Sequence, residues 1–232
     1  MAGDIRFSEP SQGISCQPSL NDRVSELLRT IQYRRASSND ELDEIRYLRY
    51  RCYLHEGIIK KNKANMLADC FDNKNNTHNI SIHIEGQIVA AIRVHVLNAS
   101  QPFSPSMSTF NDVLMPYIRE GKTLIDPTRF VVDAAASRKH PELLYATLRV
   151  PFFASEYFKS EITLASVRNE HMPFYRRTLR YVPACEPRTY LQLTKPLGLM
   201  LVNFPLEKAS VIRRFPFFEP NDAQMKMFFD VN

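Results

Sequence analysis

Apolar residues return along the chain with two periods, one near 3.6 and one of two, and their alternation predicts a mixed α/β protein. Val24, Leu27, Leu28 and Ile31 recur at helical spacing behind Asn21, which can cap them. A second helix is signalled by Ser38 or Asn39 as cap, Asp40 and Glu41 in its first turn, and Leu42, Ile45, Leu48 and Cys52 on one face, with Gly57 as the stop. From Asn79 to Leu97 the period changes to two, and the run reads as a hairpin turning at Glu85-Gly86. A two-residue loop there pairs Ile84 with Gln87, Ile82 with Val89 and Ile80 with Ala91. Arg93 then shares a face with the three isoleucines.

The long connection 98–122 holds a short helix signalled by Phe110, Val113, Leu114 and Tyr117, and its length suits a lid, a binding loop or a packed excursion. Leu124–Asp133 reads as a core strand. Pro141 fits the first turn of a helix starting near His140, running past Leu143, Leu144, Thr147 and Leu148 and bending at Pro151 toward Phe158. Residues 161–167 read as a buried strand and 169–181 as a short helix with Phe174 and Leu179 facing inward. Leu191-Gln192-Leu193 and 197–204 suggest further strands. Three regions result: a loosely ordered arm (1–20) rich in Ser, Pro, Gln and Gly, a domain (21–204), and an aromatic extension (205–232). Phe215, Phe217, Phe218, Phe228 and Phe229 are expected to pack that extension back on the domain.

Composition adds limits. At 232 residues, 44% hydrophobic and 24% charged, the chain has the make-up of one globular domain. No apolar run is long enough to span a bilayer, and the polar start lacks a signal-peptide core, so a cytoplasmic protein is expected. The four cysteines and six histidines are scattered, and no metal site is expected. A formal charge of +5 favours acidic partners in general, whether a protein, a phosphorylated cofactor or nucleic acid; nothing beyond that mild balance points to nucleic acid. The oligomeric state cannot be read from it.

The candidate chemistry lies in the central strand. Leu124, Ile125, Phe130, Val131 and Val132 bracket Asp126 and Arg129, and charges enter a buried strand only when compensated. Pro127 cannot donate to a ladder, and a bulge near it would turn residues three apart to one side. A guanidinium at Arg93 needs carboxylates, and Asp69, Asp72 and Asp126 are the candidates. These residues predict a cluster of Asp69, Asp72, Arg93, Asp126 and Arg129 lining a cleft. Arg49 and Tyr53, four apart, place a cation beside an aromatic on one side of the second helix. Free amides beside Arg138, Lys139 and His140 offer either an anion site or a solvated basic turn.

The order helix, hairpin, strand, helix, strand, helix, strand resembles the acyltransferase fold of the GCN5-related N-acetyltransferase superfamily. That likeness implies an α/β (α+β) fold, with a central mixed, mostly antiparallel sheet flanked by helices on both faces. Pro173–Val182 resembles the signature near the end of that fold, with Tyr175 at its tyrosine and Arg180 where glycine is usual. Acetyl-coenzyme A users carry a Gly-rich turn after the central strand, and this chain has Ala134-Ala-Ala-Ser-Arg-Lys139 instead.

A narrower resemblance, over roughly residues 40–185, is to the acyl-homoserine-lactone synthases and the related N-acyl amino acid synthases. Arg49 with Tyr53, Asp69 with Asp72, Arg93, and Asp126 with Arg129-Phe130 match their motifs in order. Absence of any Trp, and Asp126 in place of the usual Glu, favour the amino acid branch.

The resemblance implies an N-acyltransferase that moves a fatty acyl group from an acyl carrier protein thioester to the amine of an amino acid or similar small molecule. No cofactor is tightly bound; acyl-phosphopantetheine is the donor, with acyl-CoA as an alternative. Asp126, Arg129 and Arg93 are the implied catalytic residues, Asp126 taking the amine proton and a central-strand amide holding the oxyanion. Asp69, Asp72, Arg49, Tyr53 and Phe130 bind substrate. Ser137, Arg138, Lys139, His140, Arg149 and Tyr175 meet the phosphopantetheine and its carrier, together with Arg176 and Arg177. Phe103, Phe110, Leu114, Phe152 and Phe153 are candidates for the acyl tunnel or for ordinary core. Two readings compete: a lactone synthase using adenosylmethionine, and a non-catalytic acyl- or protein-binding module.

Overall fold

The computed structural model describes residues 17–191 and 193–230, and the loosely ordered arm expected over 1–20 lies almost wholly outside them. Helix α1 (Leu20–Thr30) is capped by Ser19 rather than Asn21: Ser19 Oγ accepts from the Asp22 amide and the Asp22 carboxylate accepts from Ser19 N, a reciprocal box. Strand β1 (Ile31–Arg35) follows without a loop. Its short alternation of buried Ile31 and Tyr33 with exposed Gln32 and Arg34 was absorbed into the expected helix. Helix α2 (Asn39–His55) has the same box from Ser38 and Glu41, and Gly57 follows its end at a positive φ of 66°.

Strands β2 (Thr77–Ile84) and β3 (Gln87–Leu97) turn at Glu85-Gly86, both at positive φ, and Ile84 faces Gln87 as expected. A bulge between Ile82 and His83 then shifts the register, so that Ile82 faces Ala90, Ile80 faces Ile92 and Asn79 faces Arg93. Arg93 therefore leaves the isoleucine face. Ile80, Ile82, Ile92 and Val94 pack with Val24, Leu27, Ala146 and Phe153 on one side, while Ala91 packs under Ile45 and Leu48 of α2 on the other, where Arg93 also lies. The expected face of Arg93 is corrected by one inserted residue.

The excursion 98–122 forms α3 (Pro105–Thr109), capped by Ser104, and α4 (Asn111–Arg119). Strand β4 (Leu124–Val132) pairs with β3, and its bulge sits two residues beyond Pro127: Thr128 faces Arg93 and Val131 faces Ala91, leaving Arg129 and Phe130 together opposite Ile92. Arg129 takes a φ of 53°, which turns it toward the α2 face. A short helix that the pattern did not signal, α5 (Ala134–Lys139), precedes the helix expected from His140 toward Phe158, which is α6 (Leu143–Tyr157) and starts just beyond Pro141.

Strand β5 (Ile162–Val167), a 3-10 turn (Asn169–His171), α7 (Met172–Leu179), β6 (Val182–Pro183), β7 (Gly198–Asn203) and α8 (Phe204–Arg214) complete the domain. Leu191 and Leu193 are not in a strand, and Phe204 opens a helix instead of closing β7. In the last segment a 3-10 turn (Pro216–Phe218) and α9 (Asp222–Phe229) bury Phe217, Phe218, Phe228 and Phe229 in the cluster that holds Ala146, Phe152 and Phe153 of α6.

The seven strands lie in the order β1-β2-β3-β4-β5-β7-β6, antiparallel except for β4 beside β5. That one parallel pair is bonded only at Leu124–Ile162 and Ile125–Thr163, although β4 continues to Val132 and β5 to Val167. The strands part beyond those residues, and the site occupies the opening.

Arg180 closes α7 in the left-handed conformation (φ 65°), which explains why glycine is usual at this place in the signature. Its ion pair with Glu207, 3.6 Å long and exposed, offers little in return. Arg180→Gly is expected to stabilise the fold by about 0.5–1 kcal/mol, raising Tm by roughly 1–4 °C. A lower Tm would mean that the Glu207 contact outweighs the backbone strain.

Candidate active site

Charges from four segments meet on the α2 face of the sheet. Arg93 Nη1 donates to Asp69 Oδ1 at 2.6 Å and to Asp72 Oδ1 at 2.7 Å, its Nη2 reaches Asp69 Oδ2 at 3.1 Å, and its Nε donates to Thr128 Oγ1 at 3.0 Å. Arg129 donates to Asp69 Oδ2 from Nη2 at 2.7 Å and from Nε at 3.2 Å. Asp72 also accepts from Arg49 Nη1 at 2.6 Å and Arg46 Nε at 3.3 Å, and Arg49 Nη2 donates to Asn79 Oδ1 at 2.6 Å. Arg49 and Arg93 are completely buried. Burial alone would raise both carboxyls, but Arg93 and Arg129 hold Asp69 well below the usual range, and Arg49 and Arg93 hold Asp72 below it. Burial, aided by repulsion from Arg93 and Arg129, brings Arg49 down to about 10 despite Asp72. Three buried guanidiniums thus share two carboxylates.

Asp126 stands apart from these ion pairs. It is fully buried opposite His95, and its carboxyl is held by α3: Ser106 Oγ donates to Oδ1 at 2.7 Å and Ser106 N to Oδ2 at 3.3 Å. Burial pushes it up to about 6, against the lowering effects of Ser104, Ser106 and the Arg93 charge. Ser106 Oγ also lies 2.8 Å from Ser166 Oγ and 3.1 Å from the Tyr190 hydroxyl, whose phenol burial raises strongly.

A cavity of about 610 Å³ fills the opening between β4 and β5. Arg93, Arg129 and Tyr53 line it from the α2 face, whereas Ile92, Leu148 and Phe152 belong to the α6 face. One cavity walled by both sets passes through the sheet at the parted strands. Its wall is apolar for the most part, with Phe130, Leu144, Leu164, Tyr175 and Val202 among the lining residues, and Ser166 and Tyr190 among its polar groups. Water held there would find few partners, which suits a long apolar chain.

Asp69, Asp72, Arg93 and Arg129 converge as the sequence suggested, with Asp126 beside them but bonded elsewhere. Arg49 does not sit against Tyr53; it turns inward to Asp72, and Tyr53 takes Arg129 over its ring at 5.6 Å. Phe130, Ser137 and Tyr175 line the cavity, the Tyr175 phenol pushed by burial to about 12. Arg138 and Lys139 are exposed and His140 half-buried.

The helix start near His140 that was expected to offer free amides is that of α6, whose N-cap Glu142 makes no side-chain capping bond. At the start of α5, Asp133 Oδ1 accepts from Ala135 N at 2.9 Å and Ala136 N at 3.1 Å, so those amides are not free. One expectation needs correction. Arg149 is buried, donating to Phe217 O at 2.7 Å and Gln224 Oε1 at 2.9 Å, so its charge fastens the last segment to α6 and is not offered to a carrier. Among the tunnel candidates only Phe152 lines the cavity. Phe103 is 56% exposed, Phe110 and Leu114 pack in the core beneath α4, and Phe153 stacks near Phe228.

Ser104, Ser106, Ser166 and Tyr190 belong to the site without having been expected there. Ser104-Pro105 carries a helix-start signal, but nothing local points from Ser106 toward Asp126, twenty residues on. Among the described residues no group of His, Cys, Asp and Glu could hold a metal, and no helix is long and apolar enough to cross a membrane.

The family model of the N-acyl amino acid synthase FeeM matches residues 44–203. No curated protein matches the sequence. The structure of FeeM, an N-acyl amino acid synthase from uncultured soil microbes, superposes with a TM-score of 0.65 at 16% identity, covering 79% of this chain and 96% of that one. BjaI, a CoA-dependent acyl-homoserine lactone synthase, gives 0.57 at 13% identity, covering 80% and 90%. An acyl-CoA N-acyltransferase from Pseudomonas aeruginosa gives 0.52 at 18%, covering 74% and 98%. At these identities the three likenesses establish the fold, the mixed, mostly antiparallel acyltransferase sheet that the element order suggested.

Proposed function

The chain belongs to the N-acyl amino acid synthase FeeM family and is an N-acyltransferase, and from that premise we propose that it moves a fatty acyl group from an acyl carrier protein thioester to the amine of an amino acid or similar small molecule. The observation that carries the proposal is the cavity itself, an apolar slot through the sheet that reaches surplus guanidinium charge on the α2 face. The slot takes the acyl chain. Arg93 and Arg129 face the cavity, and with Arg49 behind them they set three positive charges against the two negative charges of Asp69 and Asp72, which favours the carboxylate of an amino acid acceptor. The β4 bulge removes an amide from the ladder, and that amide is assigned to the oxyanion of the tetrahedral intermediate.

The donor assignment rests on the turn after β4. In coenzyme A users a Gly-rich turn binds pyrophosphate there; here the Asp133 carboxylate, itself paired with Arg51 at 2.9 Å, already occupies the amides of Ala135 and Ala136 that a pyrophosphate would need. A carrier-borne phosphopantetheine needs no pyrophosphate site. Exposed Arg138, Lys139, Arg176 and Arg177 suit an acidic carrier.

Mass spectrometry of lipid extracts tests the reading. Cells expressing the chain should accumulate N-acyl amino acids, and cells expressing Arg129→Met should not. Matching extracts from the two would count against it. With purified protein, acyl carrier protein should support turnover at least about tenfold faster than acyl-CoA; equal rates would remove the carrier from the proposal.

A further inference from the structure

Asp126 is fully buried and forms no part of the cavity wall. Ser166 and Tyr190 do form part of it, and both lie within hydrogen-bond distance of Ser106. The valence of these hydroxyls fixes a direction. Ser106 has one proton and gives it to Asp126 Oδ1, which is acceptor-only when ionised, so towards Ser166 and Tyr190 its oxygen can act only as acceptor. Both must donate inward. Their remaining lone pairs are then left for a donor in the cavity.

We infer that Ser166 and Tyr190, through Ser106, form a hydroxyl relay that carries the proton of the acceptor amine from the cavity to Asp126; the inference rests on the acyl-transfer reading above. As the amine nitrogen bonds to the thioester carbonyl carbon, its N–H proton passes to Ser166 or Tyr190, whose own proton passes to Ser106, whose proton passes to Asp126. When the C–S bond breaks, the electron pair leaves on sulfur, and the relay run in reverse returns the proton to that thiolate. Amide and free carrier thiol result, with Asp126 ionised again. Ser106 is a positioning residue, while Ser166 and Tyr190 touch the amine.

The other carboxylates on the wall are already engaged: Glu56 accepts from Arg168 at 2.9 Å and Glu207 pairs with Arg180 at 3.6 Å. Around Asp126 the titratable and charged neighbours are Arg93 and His95 from β3 and Tyr190 from the β6–β7 connection, with the Ser104 and Ser106 hydroxyls from α3. His95 bonds Thr77 through Nδ1, is held neutral by burial and is not part of the cavity wall. His171, also on the wall, lies 2.8 Å from Arg168, is lowered by burial and bonds none of the relay hydroxyls, so an acid limb that moves with Ser106 belongs to Asp126.

Steady-state release of carrier thiol across pH 5–9 tests the relay. Wild type should show an acid limb near pH 6, and the Ser166→Ala/Tyr190→Phe double variant should lose about 100-fold in kcat with the KM for the acyl donor nearly unchanged. Ser106→Ala should lose as much and move the acid limb upward, because the hydroxyl that lowers Asp126 is gone; Ser106→Thr should recover part of both. A double variant with wild-type kcat and pH profile overturns the relay. Infrared titration of the Asp126 carboxyl in resting enzyme gives an answer without substrate: an unmoved midpoint in Ser106→Ala also overturns it. Wild-type protein that turns over no amine would sink the acyl-transfer reading, and the infrared titration would still decide the hydrogen-bonded path.

Discussion

Arg93→Met is expected to destabilise the protein by about 3–5 kcal/mol, measured by urea unfolding, and to abolish acyl transfer. The guanidinium is completely buried and serves both Asp69 and Asp72, so its loss strands carboxylate charge in the sheet interior. Arg129 still covers one Asp69 oxygen and Arg49 and Arg46 still cover Asp72, which keeps the cost within that range. The pH dependence should change with it. Asp69 and Asp72 are depressed in the fold, so their stabilisation is present above the unfolded value of 3.8 and is lost as pH falls through their lower folded values. Without Arg93 those folded values rise, and acid unfolding should begin at higher pH. Arg93→Met/Asp69→Asn should recover part of the loss by removing one stranded charge. A single variant within about 1 kcal/mol of wild type would show that the cluster is far better hydrated than its geometry implies.

Asp126→Asn should act in the opposite direction on stability while removing activity. The carboxyl sits near 6 in the fold against 3.8 unfolded, because burial penalises its charge. Below 3.8 both states are protonated and ionisation costs the fold nothing. As pH rises through the folded value the protein must give up a proton that it holds more tightly than the unfolded chain does, and up to about 3 kcal/mol of stability is lost. Asn keeps the shape: its oxygen can accept from Ser106 N and its amide can donate to Ser106 Oγ once the Ser106 hydroxyl turns its own proton to Ser166. The variant should therefore gain up to about 3 kcal/mol at pH 8 and almost nothing at pH 3.5, while kcat falls at least about 100-fold. Denaturant curves at the two pH values are the check. Equal stability at pH 8 would mean that Asp126 is not forced to ionise at a cost.

These opposite signs describe how the site is stabilised. Asp69 and Asp72 are ionised by the arginines that surround them, whereas Asp126 has hydroxyls for neighbours and Arg93 only at longer range. A carboxyl held near neutrality suits a proton acceptor, and deeply depressed ones suit a fixed electrostatic frame.

By itself the sequence determined the α/β class, the caps and face of α2, the Glu85-Gly86 turn and the convergence of Asp69, Asp72, Arg93 and Arg129. Each rests on local chemistry or on the rule that buried charges find partners. Tertiary structure decided the rest, because single inserted residues and contacts distant in sequence leave no periodic trace. One bulge after Ile82 moved Arg93 to the other face, and another opposite Ile92 brought Arg129 round beside it. Arg149, Arg138 and Lys139 look alike as basic residues in sequence, yet packing buried the first and exposed the others. Ser106, Ser166 and Tyr190 come from segments 60 and 84 residues apart, and only the parting of β4 from β5 brings their hydroxyls to one carboxyl and one cavity.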